Sequence, residues 1–359
     1  MKYTVFGSTG LKVSQVSLGT GNFGTGWGYG ADPDVSTAIF NAYAEAGGNF
    51  IDSADVYQFG QSEELLGTLL EGRRDNFVLA TKFTRGAAPN ANPLVIGNSR
   101  KAMIASLEAS LKRLRTDRID IYWVHWPDGV TPTEEIVRGF EDLARAGKIL
   151  YAGISNFPAW RLARAVTLAE LGGAVPIAAA QFEHSLVRRE AEADLFPASH
   201  ALGLGIVTWS PLGGGMLTGK YRKGEKGRAE GFGGKVFQPE NSAQRTDVLD
   251  TVIAIAGELG ATPGQVAIAW AGTHGSVPII GPRSPEQLAD NLGALSLALS
   301  AEQIGRPVSR AACSPRWRSA SPHARRAARP ALHAGWTCAS LARLRCAQAR
   351  WSSSSTRTT

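Results

Sequence analysis

"GTGNFGTGWGYGADPD", residues 19–34, holds Gly19, Gly21 and Gly24 in the spacing G-x-G-x-x-G. In a doubly wound dinucleotide fold such a loop opens directly into a helix, whose N-terminus receives the pyrophosphate. Here Gly24 is followed by Gly26, Gly28 and Gly30, by Trp27 and Tyr29, and then by Asp32-Pro33. No helix can begin before Pro33 or Asp34, so the glycines do not form a phosphate cradle of that kind. The stretch reads instead as a flexible connection leaving the C-terminal end of a short strand, "VSLGT" (16–20). In a βα barrel that is where chemistry is done.

Seven further short apolar runs follow: "FIDSA" (50–54), "FVLATKF" (77–83), "IDIYWVH" (119–125), "LYAGISN" (150–156), "IAAAQF" (177–182), "GIVTWS" (205–210) and "VPIIG" (277–281). They have the continuous hydrophobicity of strands buried on both faces of a parallel sheet. Helical periodicity lies between them. After Asn98, residues Met103, Ile104, Leu107, Leu111 and Leu114 recur at steps of three and four. Thr131-Pro132-Thr133-Glu134 reads as an N-cap, a first-turn proline and a capping-box glutamate. Gly147 suits the far end of that helix. Eight such alternations predict a single α/β domain, a (β/α)8 TIM barrel, over residues 1–305. "YTVFGSTGLKVS" (3–14) predicts an N-terminal β-hairpin closing the barrel bottom.

The chain has 359 residues and a net charge of +7, but the charge is unevenly placed. Residues 306–359 hold eleven of the 38 basic side chains, all arginine, and no acidic one; the rest keeps 27 against 31 acidic, a net of −4. Cys313, Cys338 and Cys346 also lie in this last segment. Residues 1–305 therefore hold no disulfide, thiolate metal site or thiol nucleophile. The Arg/Ala/Ser/Pro-rich segment 306–359 is expected to be a disordered basic low-complexity tail. Its composition fits three readings: a basic arm for nucleic acid or acidic partners, an inert appendage, or, as the favoured one, out-of-frame translation of a GC-rich gene. No role in nucleic-acid binding is expected. No run of about 18 apolar residues predicts a membrane span, and the N-terminus lacks a signal-peptide block. A cytoplasmic monomer or homo-oligomer is expected.

"GGMLTGKY" (214–221) is one residue from a Walker A loop, but Tyr221 stands where a hydroxyl should hold Mg²⁺. It reads as a glycine-rich loop over a ligand. A sharper signal is distributed. Asp52 and Tyr57 follow the second strand, Lys82 ends the third and His125 ends the fourth. Taken singly, these read equally as a cap, an aromatic lid, a rim ion pair and a core histidine. Together they converge on the catalytic rim of one barrel.

These four residues resemble the catalytic tetrad of the aldo-keto reductase superfamily. "GISNF" (153–157), "AAQFEHSL" (179–186), "TWSPLGGGMLTGKY" (208–221) and "PIIGPRSPEQLADNL" (278–292) resemble that family's cofactor motifs, in order. The likeness spans about 300 residues and is greatest to the bacterial branch near the potassium-channel β-subunit-like reductases. It departs after "SAEQIGR" (300–306), where the family's C-terminal segment gives way to the arginine-rich tail.

The resemblance implies reduction of an aldehyde or ketone to an alcohol, with NADPH as hydride donor and NADH as the alternative. No metal is expected. Tyr57 would give the proton. A nearby ammonium stabilises a phenolate, and Lys82, paired with Asp52, is its candidate source. His125 would hold the substrate oxygen. By motif, Ser155, Asn156 and Gln181 would take the nicotinamide carboxamide, with Gly19, Thr20 and Asp52 near its ribose. Trp209, Ser210, Pro211, Leu212, Gly213 and Lys220 would follow the pyrophosphate. Gly281, Arg283, Gln287 and Asn291 would meet the adenosine end, Arg283 taking the 2′-phosphate. Trp27, Tyr29, Phe59 and Trp126, with Tyr57 and His125, are the candidate substrate walls. The alternative function is an NADP(H)-binding redox-sensing regulatory subunit with little turnover.

Overall fold

The apolar runs pair side by side, each with its neighbour in sequence, until the last meets the first. In the computed structural model, which describes residues 1–224 and 238–310, they are β3 (Ser17–Gly19), β4 (Phe50–Asp52), β5 (Val78–Phe83), β6 (Ile119–Val124), β7 (Ile149–Ser155), β8 (Ile177–Glu183), β9 (Gly205–Trp209) and β10 (Val277–Ile280). All eight neighbouring pairs are parallel, and β10 lies between β9 and β3, closing the barrel. Every residue of β5 and β6 is buried. A strand covered by helices outside and by its opposite strands inside has no polar face to write into the sequence.

The hairpin stands where expected. β1 (Tyr3–Val5) and β2 (Lys12–Ser14) pair antiparallel, with Tyr3 opposite Ser14. The chain between them drives Phe6 into the barrel floor. Its ring meets Phe50 edge-on at 5.6 Å. A Cβ on Gly205 would lie 2.6 Å from that ring, so only glycine fits at the start of β9. Above Phe6 the barrel interior is filled by Phe50, Val78, Ile121, Trp123 and Val207.

The helices begin largely where local chemistry allows. α1 (Pro33–Glu45) starts at the proline, and Asp32 caps it by accepting from Val35 N at 2.9 Å. α3 (Arg100–Leu114) is capped by Ser99 and buries Met103, Leu107, Leu111 and Leu114. α4 (Thr133–Arg145) departs from expectation: Pro132 is its N-cap residue and no side chain caps it. The Thr131 hydroxyl is instead given to Asp128 Oδ2 at 2.6 Å. Asp128 also accepts from the backbone of Asn98, Val130 and Thr131, so the threonine closes a loop rather than opening a helix. Gly147, at φ +70°, follows this helix as expected.

The helix Ala301–Arg310 runs across Arg306. Ile304 O accepts from the buried Trp270 Nε1 at 3.2 Å, and Arg306 pairs with Glu258. The tail reading otherwise concerns residues 311–359, outside the described ones. Among the described residues no single helix is long and apolar enough to cross a membrane. The pair Ala243–Leu259 and Pro263–Gly272 reaches that composition only jointly, and it is bent by 99°.

Candidate active site

The C-terminal ends of the strands form one rim. Asp52 closes β4, Lys82 is the penultimate residue of β5, and His125 directly follows β6. Gln181 lies on β8, and Trp209 ends β9. Tyr57 starts the turn that leads from β4 into α2 (Gln61–Leu69).

Lys82 is fully buried and Asp52 nearly so. The Lys82 Nζ donates to Asp52 Oδ2, to Ser53 O at 2.7 Å and to Tyr57 Oη at 3.0 Å. An ammonium has three hydrogens, and each has its acceptor. The other Asp52 oxygen accepts from Gln181 Nε2 at 2.9 Å. Burial alone would pull the lysine down, but the Asp52 carboxylate, aided by Tyr57, outweighs it and holds the ammonium above its ordinary range. The ammonium thus stays charged, as one fully hydrogen-bonded in a buried pair can.

His125 is held neutral. Burial pushes its imidazole far below the usual histidine range, and the Lys82 and Arg85 charges add to this. Its buried Nδ1 has no partner among the described residues. The ring lies edge-on to Tyr57 at 6.0 Å and nearly parallel to Trp126 at 6.0 Å. Trp27 also meets Tyr57 edge-on, at 6.1 Å, and Trp126 meets Trp209 at 6.3 Å. Tyr57 therefore ends in a box of flat apolar walls, with a cation beneath its hydroxyl.

The box opens into a cleft of about 510 Å³ that also reaches Leu212, Lys220, Gly281, Arg283 and Asn291. Of the expected residues, Gly19, Asp52, Asn156 and Gln181 line it at the box, and Trp209, Ser210 and Pro211 beyond. Gln287 and Tyr29 also line it. Arg283 stacks over the Tyr29 ring at 5.2 Å. Besides Lys82, which is buried behind Asp52 and Tyr57, four expected residues are not among the lining. The Thr20 hydroxyl is bonded to Ser62 at 2.8 Å. Ser155 is buried and accepts from Asn156 at 2.9 Å. Gly213 abuts Val187 and Leu217, while Phe59 backs Trp27 at 6.4 Å. The Asn156 amide also gives Nδ2 to His125 O and takes Trp209 Nε1, so it ties three strand ends together.

Sequence reading missed Asn22, whose Nδ2 donates to Gly281 O at 2.7 Å and joins the first loop to the last strand. It missed the helix start at Thr262-Pro263-Gly264, which lines the cleft and carries a full capping box with Gln265. That box is written in the sequence as T-x-x-Q and could have been found. It also missed Gln58. Gln58 and Phe59 both adopt left-handed backbone, with φ of +52° and +56°, a state that costs non-glycine residues roughly 1–2 kcal/mol each. The fully buried Gln58 amide gives Nε2 to Gly21 O at 2.9 Å and Tyr29 O at 3.0 Å, and accepts from Trp27 N at 2.9 Å. Gln61 accepts from Thr25 N and Gly26 N. The glycine-rich stretch expected to be flexible is thus fastened to the turn that carries Tyr57.

Away from the cleft, His184, Glu192 and His274 approach one another closely enough to ligate an ion. Arg189, however, donates to both Glu192 oxygens, and His184 Nε2 lies 2.9 Å from one of them, so the carboxylate is already engaged.

The barrel and the rim define an oxidoreductase acting on carbonyl or alcohol groups. The family model for the aldo/keto reductase family matches residues 15–309, and the chain belongs to that family. Among its relatives is "Uncharacterized oxidoreductase YrpG" of Bacillus subtilis, 38% identical over 84% of this chain and 93% of the relative. "Aryl-alcohol dehydrogenase [NADP(+)]" of Phanerodontia chrysosporium is 36% identical over 82% of each chain. "Probable voltage-gated potassium channel subunit beta" of Oryza sativa is 36% identical over 83% of this chain and 92% of that protein.

Proposed function

We propose that the chain reduces aldehydes and ketones, aromatic ones foremost, with NADPH as the hydride source. The observation that carries this is the line from Asp52 through Lys82 to the Tyr57 hydroxyl, ending beside neutral His125 in the cleft. A bound nicotinamide supplies the hydride. The protein supplies the rest. Tyr57 Oη gives its proton to the carbonyl oxygen, and the Lys82 ammonium stabilises the oxygen left behind. Uncharged His125 donates a hydrogen bond to the carbonyl oxygen of the substrate without adding a second cation.

The donor set suits a dinucleotide phosphate. Lys220 and Lys223 line the middle of the cleft and Arg283 its far end, where polyanionic groups would lie. A guanidinium binds a terminal phosphate through paired hydrogen bonds, which favours NADPH over NADH, as does the relative named for NADP(+). Trp27, Trp126 and Trp209 favour a flat aromatic substrate, in line with the relative named for aryl alcohols. The rice relative supports a second reading, a regulatory subunit with little turnover.

The test is NADPH and NADH oxidation with a panel of aromatic and aliphatic aldehydes. Steady turnover, fastest with aromatic aldehydes and NADPH, is expected. Tyr57→Phe should lower kcat by about 10²–10⁴, the worth of a general acid, while NADPH titrated by fluorescence binds as before. Undiminished turnover in that variant would refute the proton donor; absence of turnover in the parent would leave the regulatory reading.

A further inference from the structure

The glycine-rich loop and the strained turn after β4 are two halves of one device. A Cβ on Gly26 would lie 2.5 Å from Gln58 O, and one on Gly30 would lie 1.9 Å from Gly24 O. These glycines therefore let the loop backbone close around the Gln58 side chain. A left-handed backbone at Gln58 has no local cause, since glutamine does not favour it. It persists because the amide then reaches three backbone groups of the loop at once, on Gly21, Trp27 and Tyr29. Strain of this kind, held by surrounding bonds beside a reactive group, marks a functional constraint.

The three bonds fix what the loop carries. Trp27 is pinned through its own N–H, which sets its ring against Tyr57. Tyr29 is pinned through its carbonyl, which sets its ring beneath Arg283. One side chain next to Tyr57 thus positions a wall of the substrate box and a ring under the far end of the cleft.

We propose that Gln58 is the positioning residue of this site: its buried amide holds the loop 21–30 so that Trp27 forms the aromatic wall facing Tyr57, which selects aromatic carbonyl compounds. The proposal rests on the function argued above for its kinetic part alone.

Gln58→Asn tests it. Asparagine keeps the amide and tolerates left-handed backbone better than glutamine, so the turn is retained, but it is one methylene too short to reach the loop. In hydrogen–deuterium exchange, the Trp27 amide, whose N–H the Gln58 carbonyl accepts, should exchange about tenfold faster or more, as expected for loss of the bond that holds it. KM for benzaldehyde should rise about tenfold, with kcat at saturation falling less than threefold; truncating Trp27→Ala should do the same. Combined, the two substitutions should do no more than either alone, because both act through one wall. If Gln58→Asn lowers the melting temperature sharply, Gln58→Gly, which relieves the backbone, serves in its place. Unchanged exchange, or KM effects that multiply in the double variant, would overturn the proposal. If the parent chain turns over no carbonyl, the reductase reading fails, and the exchange experiment still decides whether Gln58 holds the loop.

Discussion

Asp55 lies between Asp52 and Tyr57 but takes no part in the line of proton donors. Its carboxyl is buried, one oxygen accepts from Gly86 N at 3.2 Å, and the other has no partner among the described residues. Burial, with the Glu63 charge adding to it, pushes the acid up to about 7. The folded state therefore holds a proton that the unfolded chain gives up near pH 4. Its contribution to stability is complete at low pH and is lost as pH rises from about 4 to 7, an effect of up to roughly 4 kcal/mol at 1.36 kcal/mol per pKa unit. Asp55→Asn, which mimics the protonated acid, should remove this dependence. Melting curves of both proteins should nearly coincide at pH 4.5, with the variant several degrees higher at pH 8. A constant difference across that range would show that Asp55 does not titrate there. The acid was invisible in the sequence: "DSAD" shows two aspartates, and only burial tells the paired one from the one left protonated.

Elements differed in how openly they were written. All eight barrel strands were legible, because strands buried on both sides must be apolar throughout. The floor hairpin was legible too, and its function rests on one side chain. Phe6→Ala should cost about 3–5 kcal/mol, as for other large-to-small changes in a packed core, and leave kcat at 25 °C unchanged, since the rim lies at the other end of the strands. Urea unfolding alongside the aldehyde assay checks both halves; a loss of kcat in the folded variant would contradict the separation. The start of α4 was misread, because the Thr131 hydroxyl donates to Asp128 instead of accepting from a helix N–H. The turn Tyr57–Gly60 was not legible at all. Left-handed backbone usually announces itself through glycine, and here glutamine and phenylalanine occupy it. Asp52, Tyr57, Lys82 and His125 could be read as one group because each lies at or shortly after the C-terminal end of a strand. Gln58 could not, because its partners are main-chain atoms of a loop whose path no side chain reveals.

Across the whole molecule, the last described helix bears on the core. Ile304 accepts the indole proton of Trp270, and Arg306 reaches Glu258 on the helix Ala243–Leu259. A chain ending at Ser300 should melt lower than one ending at Arg310, which carries the same six tryptophans, and show red-shifted emission beside it. Equal spectra for these two chains would show that this helix does not shield Trp270. The barrel itself has a plainer consequence. Phe6 stoppers its floor, and Trp123 and Phe50 occupy its bore, so nothing passes through. Among the described residues the cleft lies at one end of the barrel, so the carbonyl compound arriving and the alcohol leaving share that end, and each hinders the other while it stands there.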